Sequence, residues 1–427
     1  MNTIGVAMFA YRELFGRMLP DNAGNVLTLG AITLPMMLGA AGLGFDTIQW
    51  TLTQRHMQRA ADSAAIAGAY ARLQNGNVGA QSNNSLTRDG VTNLSNTPVV
   101  ENAPTGGSYA GDTSAVRVIL QTEQALPFAS LFMVKPPTIR VEATAKAASN
   151  GEFCVIALEN TPIAGITMQG NATVNLGCGM ATNSNASNAV VAGGSSVINA
   201  TLIAAVGGLS SSGNYAAGTE LLPNSIKQRD PFANLPQPQP QNCDAQISVQ
   251  PNQTRTILGL QSGRCFRGMD LKGTVHFEPG VYFIDAGSFT IGSQAVVTGQ
   301  GVTFILTSSS AGSNPSSISK ITINGGATLQ LSAPSTGTYA GVLFYQDRRA
   351  ANQDGNNING NSNSSFQGAF YFPSQGLDFN GTAGMNTQCV QIAARRVSLS
   401  GNSSIINRCP PASGAGAFSG LRIFLVG

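Results

Sequence analysis

A stretch of twenty residues without a charged side chain, Val26 to Phe45, is the feature that most constrains this chain. As an α-helix the stretch would be about 30 Å long, which is the thickness of the hydrocarbon core of a bilayer. Pro35 would destabilise a soluble helix by about 3 kcal/mol, but a membrane span tolerates it. A cleaved signal peptide is the alternative, although its apolar core is usually only about 7 to 15 residues long. We therefore predict one uncleaved membrane-spanning helix.

The residues after this stretch form a polar helical pattern lined with alanine and glycine, in rows with a spacing of four. Such rows let a second helix approach closely in a membrane, although alanine is also the best helix former. We assign residues 26–70 to a membrane and juxtamembrane helix, and residues 1–25 to a cytoplasmic amphipathic segment. The candidate helix-packing residues are Ala40, Gly44, Ala60, Ala64 and Gly68.

Residues 22–70 resemble the TadE/TadG-like amino-terminal module of Flp (tight-adherence) pilus assembly proteins. The resemblance rests on a Gly-Asn pair before the span, on the Gly-x-Asp of Gly44 and Asp46 at its outer edge, and on the Gln-x-Ala-Ala-Asp-x-Ala-Ala pattern that begins at Gln58. It implies a single-span inner-membrane component of a bacterial pilus machine. Pilin-like substrates of prepilin peptidase carry a glutamate where this chain has Leu29. This difference argues against cleavage of this chain by such a peptidase. Asp112 begins "DTSAV", which lacks the second serine of the metal motif that some TadG-like proteins carry.

The cysteines decide the orientation, because the arginines on the two sides of the span are balanced in number. All six cysteines follow the span, and an even number suggests an oxidising compartment. We therefore predict a single-pass protein of the bacterial inner membrane with a periplasmic or cell-surface C-terminal domain.

The remaining sequence predicts a mainly β fold behind the transmembrane α-helix. Residues 71–150 contain two alternating apolar and polar stretches around a helical turn, which predicts a small α+β unit. In residues 151–427, short apolar stretches are separated by Gly, Asn and Ser corners. This pattern predicts a right-handed parallel β-helix-like solenoid, with a β-sandwich as the alternative. The Pro-rich stretch 221–241 cannot join a sheet ladder, and we expect it to cross the solenoid surface as an excursion.

The spacing of the cysteines agrees with a solenoid. Successive cysteines fall 24, 22 and 20 positions apart in three pairs, close to the period of about 20 to 29 residues of short solenoid repeats. Residues one coil apart lie next to each other in such a fold. We therefore predict the disulfides Cys154–Cys178, Cys243–Cys265 and Cys389–Cys409.

The composition provides few side chains for catalysis, metal binding or nucleic-acid binding. A net charge of +3 with 10% charged residues excludes a basic patch for nucleic acid. His56 and His276 are far apart in the sequence, and no Cys-x-x-Cys occurs. We predict no catalytic residue, metal or cofactor. One charged loop after a strand is a candidate for binding a sugar or an anion, and its residues are Tyr345, Asp347, Arg348, Arg349 and Asp354.

The sequence thus favours a non-catalytic structural or assembly component of a Flp (Tad) pilus system. Its partners would be the inner membrane and other Tad pilus components, which it would contact through helix packing. A surface adhesin or glycan-binding protein, with surface glycans as partners, is the alternative. A β-helix polysaccharide-degrading enzyme is the second alternative, and it requires two carboxylates converging in a cleft.

Overall fold

A computed structural model describes residues 25–171, 173–210, 213–381, 386–401, 404–405, 408–410, 413–416 and 418–426. Apart from Asn25, the predicted cytoplasmic segment lies outside the described residues. The chain divides into two compact units. The described part of the first comprises residues 25–147 and 423–426, and the second comprises residues between 148 and 422.

One helix, α1 (Asn25–Leu73), dominates the first unit and is 49 residues long. At 1.5 Å per residue it extends for about 73 Å. Pro35 lies inside it, in the apolar part, which is long and apolar enough to cross a membrane. The predicted continuity between the apolar stretch and the alanine-lined helix is therefore confirmed. A second helix, α2 (Val78–Arg88), begins after Asn77, whose side chain accepts a hydrogen bond of 2.9 Å from the Ala80 amide.

An antiparallel sheet completes the first unit. It pairs β1 (Val99–Asn102) with β2 (Ala115–Glu123), and β2 with the first part of β3 (Thr138–Ala157). Alternate side chains of β2 are buried, as expected for a sheet with one face in the core. The Val426 amide donates to the Thr144 carbonyl, so the end of the chain belongs to this unit. The predicted solenoid boundary at 151–427 included this tail, and the structure differs there.

The second unit is a parallel β-solenoid, as predicted, and its parallel pairing rules out the sandwich alternative. Its strands after β3 are β4 (Ile166–Met168), β5 (Thr173–Leu176), β6 (Gly179–Thr182), β7 (Val190–Ala192), β8 (Val197–Asn199), β9 (Leu202–Ala205), β10 (Glu220–Leu222), β11 (Ile247–Val249), β12 (Thr254–Ile257), β13 (Arg264–Phe266), β14 (Met269–Leu271), β15 (Thr274–Phe277), β16 (Gly280–Asp285), β17 (Phe289–Ile291), β18 (Val296–Gly299), β19 (Val302–Thr307), β20 (Ile321–Ile323), β21 (Thr328–Ser332), β22 (Val342–Gln346), β23 (Asn356–Asn359), β24 (Ser365–Gly381), β25 (Asn386–Gly401), β26 (Ser404–Ile405) and β27 (Phe418–Leu425).

The strands of successive coils form three parallel stacks. Most coils contribute a separate short strand to each stack, whereas the long strands β24 and β25 each take part in more than one stack. The first stack runs β11, β14, β17, β20, β23, β24, β25, β4 and β7. The second contains β12, β15, β18, β21 and β24 and, separately, β26, β5 and β8. The third runs β13, β16, β19, β22, β24, β25, β3, β6, β9 and β10.

The coils are not stacked in chain order. The chain enters the solenoid in the middle, at β3 and β4, and winds to β10 at one end. It then returns to the opposite end, where β11 begins, and winds back until β25 pairs with β3 and β4. We call this junction of β25 with β3 and β4 the seam. Coils that are far apart in sequence are therefore neighbours at the seam.

The interior of the solenoid differs along its length. The coils from β3 to β9 fill it mainly with Ile, Val, Met and Ala, whereas the coils from β13 to β24 add aromatic rings in contact with one another to their Ile, Leu and Val side chains. Phe304, for example, lies 4.9 Å from Phe277, 5.1 Å from Phe289 and 5.5 Å from Phe344 between ring centroids. Such contacts add to the hydrophobic stabilisation that burial of each ring supplies.

Candidate functional site

The apolar half of α1 is exposed. Large side chains such as Met36 and Leu38 project from it with 70% and 62% of their surface accessible. Ala40 and Gly44 share this exposure, and a Cβ at Gly44 would meet nothing within 4 Å. A fully apolar exposed helix is stable in lipid rather than in water. The predicted packing of Ala40 and Gly44 against another helix stays a prediction.

The alanine-lined half of α1 is buried against the chain's own sheet. Ala60 and Ala64 are at most 2% exposed and pack with Val116, Val118 and other apolar side chains of the first unit. A Cβ at Gly68 would lie 2.6 Å from Ser82 Oγ and 2.8 Å from Val116 Cγ1. The prediction that these rows bind a helix of another protein is therefore corrected for Ala60, Ala64 and Gly68. Small residues permit close approach of any backbone, and here the partners are α2 and the sheet.

Asp46 is a buried side chain directly after the uncharged apolar part of α1. Its side chain is 3% exposed and accepts hydrogen bonds from the Phe128 amide at 3.2 Å and the Ala129 amide at 2.6 Å. These amides begin the short 3-10 helix Ala129–Leu131. A carboxylate that accepts from two amides at a helix start is a favourable cap. Asp46 thus fixes a loop between β2 and β3 to the membrane-proximal part of the helix.

This helix, with its exposed apolar start, its Gly-x-Asp and its buried alanine rows, has the features of one known pilus family. Residues 24–72 match the family model described as "Putative Flp pilus-assembly TadE/G-like". The match covers all of α1 except its last residue, Leu73, and confirms the resemblance predicted for residues 22–70. The match supports a pilus-related role, and α1 contains a segment that is long and apolar enough to cross a membrane. Comparison with curated proteins and with solved structures found no match.

The candidate ligand loop lies outside the TadE/G-like module, on the third stack of the solenoid. Tyr345 and Asp347 are fully buried. Asp347 accepts hydrogen bonds from Thr307 at 2.8 Å and from Arg349 at 2.6 Å. Asp354 is exposed and pairs with Arg396 at 2.8 Å. Burial raises the pKa of Tyr345 to about 12, so that it stays protonated.

The loop's arginines hold the Pro-rich excursion, which we call the strap and define as residues 223–242. Arg348 donates to the Leu235 carbonyl at 2.8 Å, and Arg349 to the Pro238 carbonyl at 3.2 Å. Asp230 of the strap accepts from the Tyr371 hydroxyl at 2.6 Å. The strap therefore crosses the surface of the solenoid as predicted. The loop's polar groups bind this segment, and the geometry gives no support to a sugar or anion site there.

Glu159 is the charged group at the seam. Its side chain is fully buried and lies 2.9 Å from Arg395 Nε and 2.9 Å from Arg396 Nη1. Burial acts to raise the pKa of Glu159, but the hydrogen bonds from Arg395 and Thr161 and the charge of Arg395 outweigh it and hold the pKa at about 2. Glu159 is thus ionised at neutral pH and ties the first solenoid coil to the last. No sequence motif pointed to this cluster.

The three predicted disulfides are all present, as Cys154–Cys178, Cys243–Cys265 and Cys389–Cys409. Each joins residues about one coil apart, as the spacing predicted. Asp285 lies close to the second of these, with its carboxylate 3.5 Å from Cys243 Sγ. Because both sulfurs of that pair are in the disulfide, they are not thiolates able to bind a metal.

Two further polar features lie on the coils. His276 is exposed on β15, and its Nδ1 lies 2.9 Å from Thr298 Oγ1 on the next coil. The asparagines of the stretch 356–365 lie partly in β23 and partly in the turn after it. Asn359, in β23, donates to the Ile323 carbonyl of the preceding coil at 2.7 Å and accepts from Asn380 of the following coil at 2.5 Å.

Proposed function

We propose that this protein is a membrane-anchored, non-catalytic component of a bacterial Flp (Tad) pilus system. The apolar half of α1 crosses the inner membrane, and the first unit and the solenoid lie in the periplasm or at the cell surface. Its partners are other Tad pilus components, which it contacts in the membrane through Ala40 and Gly44. The solenoid serves as a stiff, disulfide-linked scaffold.

One observation carries the proposal. The segment that matches the pilus-assembly family is a single continuous helix, which is apolar and largely exposed from Leu29 to Phe45 and is alanine-lined and buried on one face from Met57 onward. An exposed apolar helix needs lipid or a partner, whereas the alanine-lined part already has a partner in its own sheet. The chemistry of the helix therefore supports an anchor that ends at a folded domain.

The carboxylates near arginines support a structural role for the solenoid. Glu159, Asp230 and Asp347 each accept hydrogen bonds from the protein's own side chains. Glycosidic hydrolysis needs two carboxylates that flank a substrate-sized space. A glycan-binding face would need accessible aromatic rings, but Tyr345 and Tyr371 are fully buried and hydrogen-bond to the strap.

The test is complementation in the bacterium that makes this protein. Deletion of its gene should abolish or strongly reduce Flp pili counted by electron microscopy, and the wild-type gene should restore them. The variant Leu38→Arg should fail to restore them, because a charge at the centre of a span costs about 3 kcal/mol. The matched control Leu38→Ala should restore them. Normal piliation in the deletion strain would contradict the proposal.

The enzyme and glycan-binding alternatives have their own test. Asp354→Asn and His276→Gln alter exposed polar groups of the solenoid with little expected effect on its fold. Both variants should give normal piliation and normal surface attachment. Loss of polysaccharide turnover or of attachment to glycan in either variant, with pili still present, would replace our proposal with one of the alternatives.

A further inference from the structure

Four consecutive apolar residues are exposed in the loop between β2 and β3. They are Leu131, Phe132, Met133 and Val134, with 73%, 77%, 47% and 100% of their surface accessible. A run of this kind is unfavourable in water, because burying each such side chain is worth about 1.5–3 kcal/mol. Lys135 follows directly and is also exposed. The loop therefore presents an apolar tip with a cation at its edge.

The loop is fixed to the apolar half of α1. The Phe128 ring fills the place that a Cβ at Gly42 would take, and it also approaches Gly39. Phe128 in turn lies 5.6 Å from Phe132 between ring centroids. Gly42 precedes Asp46 by four residues and Gly39 precedes it by seven. At 1.5 Å per residue, Phe128 therefore contacts α1 about 6–10 Å from Asp46, toward the uncharged N-terminal part of the helix. That distance matches the depth of about 5–10 Å at which interfacial apolar side chains insert into a bilayer.

We propose that residues 128–134 insert into the outer leaflet of the membrane beside α1 and form a second, interfacial contact with lipid. The inference rests on the proposed membrane anchor, because it places Gly39 and Gly42 at membrane depth. Lipid is the occupant that fits, since the apolar tip continues the lipid-facing surface of the helix and Lys135 is placed to meet anionic headgroups. Asp46 and Gly42 position the loop, the first by binding its amides and the second by making room for Phe128.

Such a second contact would restrict the tilt and rotation of the first unit on the membrane. A single span leaves a domain free to turn about the helix axis, whereas an inserted loop beside the helix resists that rotation. Interfacial anchors are among the features that set helix tilt and rotation. The loop would thus orient the folded domain toward its partners in a pilus machine.

The experiment measures the depth of single tryptophans in the full chain, reconstituted in vesicles of phosphatidylethanolamine and phosphatidylglycerol with brominated acyl chains. Trp50 is the chain's one tryptophan, so Trp50→Phe gives a silent background. Phe132→Trp probes the loop, and Leu38→Trp and Gln74→Trp are references within the span and just beyond the end of α1. We expect bromine to quench the tryptophans at 38 and 132 several-fold more than the one at 74.

The outcomes separate this inference from the anchor on which it rests. Quenching at 38 but not at 132 would overturn the lipid contact and leave the anchor intact. Absence of quenching at 38 would overturn both. The tryptophan at 132 could instead escape quenching and show a blue-shifted emission that depends on protein concentration. That result would mean that the tip contacts a second copy of the protein, and it would contradict the lipid contact.

A pair of glycine variants tests how the loop is positioned. Gly42→Leu in the Phe132→Trp background should displace Phe128 and reduce the quenching at 132 at least two-fold. Gly44→Leu adds the same side chain where nothing lies within 4 Å, and it should leave the quenching unchanged. Equal quenching in the two variants would contradict the positioning role of Gly42.

Discussion

The two units of this protein close their cores in different ways. The first unit packs α1 mainly against α2 and a sheet that follow within about 75 residues of its end, and small side chains on the helix allow that close approach. Residues 423–426 join this unit from the far end of the chain. The solenoid closes at a seam where Glu159 meets Arg395, 236 positions away in the sequence. A sequence resemblance can recognise the first kind of closure because its signals are local. The second kind depends on contacts that no local pattern encodes.

Glu159→Ala should have the largest effect on stability, and the effect should be confined to the solenoid. Removing one partner of a buried ion pair typically costs 3–5 kcal/mol, because the remaining charges lose their compensation. Arg395 and Arg396 keep about a fifth of their side-chain surface exposed, so we expect about 3 kcal/mol. The solenoid's sheet signal in circular dichroism should melt at a lower temperature, whereas fluorescence of Trp50, in the first unit, should be unaffected. An unchanged solenoid melt would show that the seam is not held by this cluster.

Acid should weaken the wild-type seam by a similar amount. The folded-state pKa of Glu159 is about 2, against 4.5 for the ordinary group. A group whose pKa is lower in the folded state stabilises the fold at pH values above its unfolded-state pKa. This stability is lost as the pH falls through the folded-state pKa. We expect about 3 kcal/mol to be lost between about pH 5 and pH 2. Denaturant unfolding across this range should show the loss in the wild type and a smaller one in Glu159→Gln. Equal acid sensitivity in both proteins would contradict the assignment.

The sequence predicted the solenoid, its disulfides and the strap because each has a local signal. The coil period set the spacing of the cysteines, and the prolines kept residues 223–241 out of a ladder. The predicted excursion began two residues too early, because Leu221 and Leu222 pair with β9 as part of β10. The sequence could not predict the order of the coils or the seam, since Glu159 and Arg395 have no pattern in common. It also gave Ala64 and Gly68 the wrong partner, because a spacing of four permits close approach to a sheet as well as to a helix.

Gly68→Leu and Gly44→Leu test the difference between the two halves of α1. The first adds bulk where a Cβ would already lie 2.6 Å from Ser82 Oγ, and overpacking of this kind costs about 1–3 kcal/mol. Trp50 fluorescence should report a lower melting temperature for the first unit. Gly44→Leu should keep the wild-type melting temperature but reduce copurification with other pilus components. If Gly68→Leu melted like the wild type, the alanine rows would have to be free for another partner after all.

Asp46→Ala should have the smallest effect on stability. The variant removes two hydrogen bonds from amides to a carboxylate, and local stability should fall by about 1–2 kcal/mol. The loss should be confined to the loop around Phe128, so hydrogen exchange of its amides should quicken while amides of β2 stay protected. The conservative Asp46→Asn keeps an acceptor and should lose less. Faster exchange throughout the sheet would mean that Asp46 holds more than this loop.

The central claim is that α1 crosses the inner membrane and places everything after Asp46 outside the cytoplasm. Alkaline phosphatase, which is active only in an oxidising compartment, can be fused after Gly427 and assayed in living cells beside a matching β-galactosidase fusion. We predict an active phosphatase and an inactive β-galactosidase. An inactive phosphatase together with an active β-galactosidase would place the solenoid in the cytoplasm and contradict the account.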